Sequence, residues 1–191
     1  MTDCAHCDSK VCYTGSDCYG SASLARAAFA DSATEKLYRA ATQVEGGHYC
    51  KKTRIEEIVE FGKLMGYRRV GIAFCIGLAK EARLLADVLS PHFEVHSVCC
   101  KNGGVFKDEF GLKQILESRR EVMCNPFGQA RLLEEAGCEL NIICGLCVGH
   151  EALFIQQSKA PVVTAITKDR VTAHNPAAAL YCDYLSRRFK V

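Results

Sequence analysis

The sequence predicts an α/β protein: a parallel sheet of about four strands with helices on both faces, preceded by an N-terminal four-Cys metal knuckle and a helical segment. Three observations carry this. From Arg69 onward, short apolar runs alternate with amphipathic stretches of helical length, the pattern of successive βαβ units. Residues 1–20 carry four cysteines and almost no large apolar side chain, so burial cannot fold them. Residues 21–66 show helical periodicity. The expected organisation is a knuckle at 1–20 and an α/β domain at 21–191, the first part of which (21–66) is helical.

Taken in order, Ser21 to Glu45 places Ala25, Phe29, Leu37, Ala41 and Val44 on one helical stripe. A capping box Ser32-x-x-Glu35 splits this run near Asp31, and Gly46-Gly47 ends it. A second box, Thr53-x-x-Glu56, opens a helix whose buried face is Ile55, Ile58, Val59 and Met65 and which Gly66 closes. Val70 to Cys75 reads as a buried strand, Leu78 to Leu89 as a helix and Phe93 to Cys100 as a second strand. A Gly-Gly loop follows, then a helix through Leu112 to Arg119. Asn125 caps a helix with Pro126 at its first position, and Gly137 ends it. Leu140 to Cys144 and Val162 to Thr167 are strands flanking a helix at Glu151 to Gln157, and Asn175-Pro176 opens the last helix.

Composition excludes several classes. At 191 residues, with 49% hydrophobic and 24% charged side chains, the chain has ordinary globular values and room for one core. A net charge of +2 implies no nucleic-acid partner. No apolar run reaches the roughly 18 residues of a membrane span, and the N-terminus lacks the basic and apolar regions of a secretory signal. A cytoplasmic protein is expected. In that reducing compartment, thirteen cysteines point to metal ligation or thiol chemistry rather than disulfides.

Cys4, Cys7, Cys12 and Cys18 form the knuckle. Structural zinc sites are built from two close pairs, and only Cys4 and Cys7 make one, so the spacing favours a [4Fe-4S] cluster with zinc as the alternative. His6 is a bystander to four sufficient thiols.

A second set is dispersed. Cys75 ends the first strand, Cys99 and Cys100 end the second, Cys124 precedes a helix cap, and Cys147 begins the helix after the third strand. In a parallel sheet these places lie along the carboxyl edge, where α/β proteins bind ligands. Strand neighbours face opposite sides, so one of Cys99 and Cys100 points at a common site, and Cys100 is taken as that one. Cys75, Cys100, Cys124 and Cys147 are the candidate ligands of a second iron-sulfur cluster; the alternative is four separate core thiols. His150 and Lys168 are the candidate catalytic contacts to a substrate at an open iron. Arg170 and His174 lie near the same edge, whereas Cys50, Cys138 and Cys182 read as structural.

The knuckle, Thr53-Arg-Ile-Glu-Glu57, Gly71-Ile-Ala-Phe-Cys-Ile-Gly-Leu78, Val98-Cys-Cys-Lys101, Cys124-Asn-Pro126, Gly145-Leu-Cys-Val-Gly-His150 and His174-Asn-Pro176 together resemble a small bacterial and archaeal family described as metal-binding and carried as a numbered domain of unknown function. The resemblance covers nearly the whole chain. It implies metal binding, brings no reaction with it and does not require a cysteine at 144, which favours Cys147 as the functional thiol of its turn.

These residues set three expectations. The first is an iron-sulfur redox protein that passes electrons from the knuckle to the second site, with a redox protein or a small molecule as partner. Another is a zinc-stabilised thiol protein that transfers sulfur or metal. The last is a binding module or sensor with one structural metal. The helical segment offers a face for a homo-oligomer.

Overall fold

The computed structural model describes residues 2–189. The chain forms two compact units, Met1–Lys51 and Lys52–Val191, each described by itself.

In the first unit no residue from 2 to 20 is buried, and the only regular structure there is one 3-10 turn, Val11–Thr14. The Asp17 carboxylate accepts from the backbone N–H groups of Ser21 and Ala22 and leads the chain into α1 (Ala22–Phe29). Helix α2 (Ser32–His48) is capped by Asp31, not by Ser32: the Asp31 carboxylate accepts from Thr34 N at 2.9 Å. The Gly46-Gly47 pair does not end α2 as expected. Both glycines stay helical, and the left-handed residue that turns the chain is Cys50, at φ 56°.

The second unit opens with α3 (Arg54–Met65), where the capping box forms as the sequence predicts: Thr53 Oγ1 accepts from Glu56 N, and the Glu56 carboxylate accepts from Thr53 N. Its apolar stripe buries Ile58, Val59 and Met65. The sheet consists of β1 (Arg69–Phe74), β2 (Glu94–Cys99), β3 (Leu140–Cys144) and β4 (Val162–Ile166), all parallel, in the order β2-β1-β3-β4. Helices α4 (Ala79–Leu89), α5 (Pro126–Glu135) and α6 (Val148–Gln157) make the crossovers. The path runs outward from β1 to β2, then returns across β1 to β3 and β4. Right-handed crossovers therefore place α4 on one face and α5 with α6 on the other. The contact of α5 with α6 agrees, as does Gly71 of β1, where an added Cβ would lie 2.9 Å from Leu133 of α5. Strands β1 and β3 are the centre of the core: Val70, Ile72, Leu140, Ile142 and Ile143 are fully buried.

Two expected helices differ. Residues 112–119 are not helical; the chain doubles back through an antiparallel bridge from Phe106 to Val122. The apolar stripe expected there finds nothing to cover it, with Ile115 77% and Leu116 58% exposed, and the backbone is held by the Glu121 carboxylate, which accepts from Ile115 N. After Pro176 there are two single turns, α7 (Ala178–Tyr181) and α8 (Asp183–Ser186), broken at Cys182 because their apolar side chains are also unburied. Among the described residues no helix is long and apolar enough to cross a membrane.

Candidate thiol site at the carboxyl edge of the sheet

The strand order reverses between β1 and β3, and the crevice at their carboxyl ends is where such sheets bind ligands. Cys75 leaves β1 there, with its N–H donating to Cys144 O, and Phe74 O accepts from Cys100 N at 2.8 Å. The second strand thus delivers Cys100 beside the end of the first. Cys124 is brought in by a clamp of amides: Asn125 N donates to Cys100 O at 2.8 Å, Asn125 Nδ2 to Asn102 Oδ1, and Asn102 Nδ2 to both Cys99 O and Asn125 O. The outcome is a row of three thiols. Cys124 Sγ donates to Cys100 Sγ at 3.7 Å, and Cys100 Sγ in turn accepts from the backbone N–H of Ile76, the residue that follows Cys75, at 3.4 Å.

Cys147 occupies the N-cap position of α6, in the turn that follows β3, without a capping hydrogen bond from its side chain. That turn depends on Gly145, at φ +68°, whose N–H donates to Ile166 O at 2.7 Å. A Cβ at Gly145 would lie 2.3 Å from Leu78, on top of the left-handed strain. Gly145→Ala is therefore expected to destabilise the protein by about 3 kcal/mol, read from the urea midpoint at fixed m-value.

Cys75, Cys124, Cys147, His150, Lys168 and Arg170 line a single cavity of about 600 Å³. Lys168 Nζ donates to Cys75 Sγ, and the Arg170 guanidinium donates to Cys147 Sγ at 3.5 Å. His174 also lines the cavity, and its Nδ1 accepts from Asp169 N, so Nε2 carries the ring proton. Cys100 lies beneath, 2% exposed, accepting from Ile76 N at 3.4 Å.

Charge follows from these contacts. Hydrogen bonding to Cys100, helped by Lys168, outweighs burial and holds the Cys75 thiol down at about 4. The Cys100 bond, with the charges of Lys101 and His150, brings Cys124 down to about 6. Cys100, placed between two sulfurs that ionise first, is pushed far up and keeps its proton. Cys144 is a core thiol, wholly buried and pushed up to about 11 by burial, and Cys138 is similar. Of the strand-end pair, Cys100 meets the other thiols, while Cys99 leaves the site to it.

The four N-terminal thiols line a separate cavity of about 210 Å³. Cys4 Sγ donates to Tyr19 Oη at 3.4 Å, Cys7 pairs with the Ser9 hydroxyl and Cys18 Sγ donates to Ser16 O. Among the described residues no group of three or more His, Cys, Asp and Glu side chains is placed to hold a metal ion. All four cysteines line that one small space, thiolates are the ligands that soft metals select, and the nearby Asp17 is occupied by backbone N–H groups. His6 instead pairs with Asp3.

Sequence reading missed Gln129. It is wholly buried, and its Nε2 bridges Phe74 O and Val98 O, fixing the strand ends that carry Cys75 and Cys100. A signal was present, since Gln129 lies on the stripe of Pro126, Ala130 and Leu133, where an apolar residue is expected. The roles of Lys101 and Asn102 depend on a loop path that no local pattern specifies.

Residues 17–165 match a family described as Protein of unknown function (DUF1847). An uncharacterized protein of Methanocaldococcus jannaschii is 50% identical over 188 residues, 97% of this chain and 96% of that one. No solved structure matches.

Proposed function

The chain belongs to the DUF1847 family of proteins of unknown function, and we propose that its α/β unit is a thiol redox protein that reduces a small disulfide, with Cys75 as nucleophile and Cys100 as the thiol that resolves it. The observation that carries this reading is the place of Cys75. Cys75 lines a cavity large enough for a small molecule, its sulfur is held by Lys168, and Cys100 lies beside the same strand end, bonded to the backbone of Phe74 and Ile76. Exchange proceeds by attack of a thiolate on a disulfide sulfur through a mixed disulfide. Cys75 Sγ would attack one sulfur of R–S–S–R′, forming Cys75–S–S–R and expelling R′S⁻, which takes a proton from His150 or solvent. Cys100 would then attack Cys75 Sγ and expel RS⁻, which takes up the proton that Cys100 loses as the new bond forms. Two electrons pass from two cysteines to the substrate, and an external dithiol restores them.

The test is anaerobic reaction of the metal-loaded protein with 2-hydroxyethyl disulfide. Wild type is expected to release two thiols per chain at the rim site, and Cys75→Ser none. Equal release from both would refute the assignment.

A second reading has one observation in its favour. Thiolates about 2.3 Å from one tetrahedral ion lie roughly 3.8 Å apart, close to the 3.7 Å between Cys100 and Cys124. The same distance is short for neighbouring corners of a cubane cluster. A rim metal centre would make metal content depend on Cys75 and Cys147.

A further inference from the structure

The row of thiols has three members, and two suffice for the exchange just described. Cys100 is sealed from the cavity, whereas Cys124, half-buried, lines it. A disulfide between Cys75 and Cys100 would therefore occupy the nucleophile and leave its other sulfur out of a reductant's reach. Cys124 stands on the far side of Cys100 at 3.7 Å, and the Asn102–Asn125 clamp already ties the two backbones together. Closing that gap to the roughly 2.05 Å of a disulfide requires movement of side chains rather than chain segments.

We propose that Cys124 is a further catalytic residue, which displaces Cys75 from Cys100 so that the oxidised protein rests with a Cys100–Cys124 disulfide and a free Cys75. This rests on the reading of Cys75 given above. The step balances within the chain: the Cys124 thiolate attacks Cys100 Sγ, the Cys100–Cys124 bond forms, the Cys75–Cys100 bond breaks, and its electron pair returns to Cys75 as thiolate. No external oxidant or reductant enters. The direction follows from the leaving group, because the better-stabilised thiolate leaves faster, and Cys75 is held by Lys168. The oxidising equivalent then sits at a sulfur open to the cavity, where a dithiol can attack Cys124 while Cys75 meets the next substrate.

Mapping the disulfide tests this. Metal-loaded wild type, treated with one equivalent of 2-hydroxyethyl disulfide, acid-quenched, alkylated and digested, is expected to yield a Cys100–Cys124 cross-link by mass spectrometry. The Cys124→Ser protein should instead accumulate Cys75–Cys100. Wild type that stops at Cys75–Cys100 would overturn the proposal. A second measurement separates it from the reading of Cys75: Cys75→Ser, equilibrated in a buffer of oxidised and reduced dithiothreitol, is expected to form Cys100–Cys124. If that variant forms no such bond, the proposal fails even where Cys75 is the nucleophile. If instead wild type releases no thiol while the bond still forms in Cys75→Ser, the reading of Cys75 fails and the pairing of Cys100 with Cys124 stands.

Discussion

At pH 5, iodoacetamide is expected to label Cys75 about thirtyfold faster than an ordinary cysteine, and that rate should stay nearly flat up to pH 8. The magnitude comes from two opposed effects. With a pKa of about 4, Cys75 is almost wholly thiolate at pH 5, whereas a free thiol near 8.5 is ionised only to about three parts in ten thousand. That difference is worth roughly three thousandfold. Intrinsic nucleophilicity falls with pKa at a Brønsted slope of about 0.45, which takes back about a hundredfold. The two effects cancel near about pH 6.5 and leave Cys75 roughly threefold slower than a free thiol at pH 7, so a comparison at neutral pH alone would miss the site. Cys124, at about 6, should show a rate that climbs from pH 5 and levels near 7, and peptide mapping separates the two. Because Cys100 and Lys168 both lower the Cys75 value, Cys100→Ala and Lys168→Met should each move the midpoint up. A Cys75 rate that rises tenfold per pH unit from 5 to 8 in wild type would sink the thiolate assignment.

The same shift has a sign in stability. Between about pH 4 and 9 the unfolded chain keeps a proton on residue 75 that the native state has released, so Cys75 contributes stability that is full above its unfolded value and lost as pH falls through about 4. Cys100 acts the opposite way. Its raised value contributes below the unfolded pKa and loses that contribution as pH climbs past it, so the two together favour a maximum in mildly alkaline solution.

Much of this geometry was legible in the sequence, for identifiable reasons. The strands ending at Cys75 and Cys144 are continuous apolar runs because both faces are covered, and a run of that kind declares itself without tertiary information. Once those strands were parallel, their carboxyl ends had to share an edge, which is how residues as distant as Cys75 and Cys147 could be assigned to one place. Three features escaped. The stretch 112–119 has helical spacing, but spacing says nothing about whether a partner surface exists, and Ile115 and Leu116 have none. Gly46 and Gly47 looked like a stop, yet helical glycine costs only about 1 kcal/mol each, which the rest of α2 outweighs. Gln129 was passed over because a polar residue on an apolar stripe becomes informative only when two strand-end carbonyls are seen to need its amide.

The N-terminal segment should show the largest structural response. Residues 2–20 bury nothing, so apolar transfer gives them no stability against the entropy of ordering, and metal ligation is the remaining candidate. Structural zinc bound by small thiol-rich folds supplies on the order of 10 kcal/mol of apparent folding energy, far above anything the hydrogen bonds of Cys4, Cys7 and Cys18 can offer. Protein isolated anaerobically is expected to carry a tightly held metal that Cys12→Ser and Cys18→Ser each remove. In those variants the segment should become an early site of limited proteolysis, while the sheet keeps its amide-exchange protection. Iron and sulfide in equal amounts with absorbance near about 400 nm would identify a [4Fe-4S] cluster, and colourless protein with zinc the alternative. Cys75→Ala and Cys147→Ala are the comparison: on the thiol reading both retain the metal of wild type, and a loss in either would move the rim cysteines from nucleophiles to ligands. Metal content unaltered by Cys12→Ser and Cys18→Ser would leave the knuckle without the force that orders it, and the assignment of these four thiols would fall.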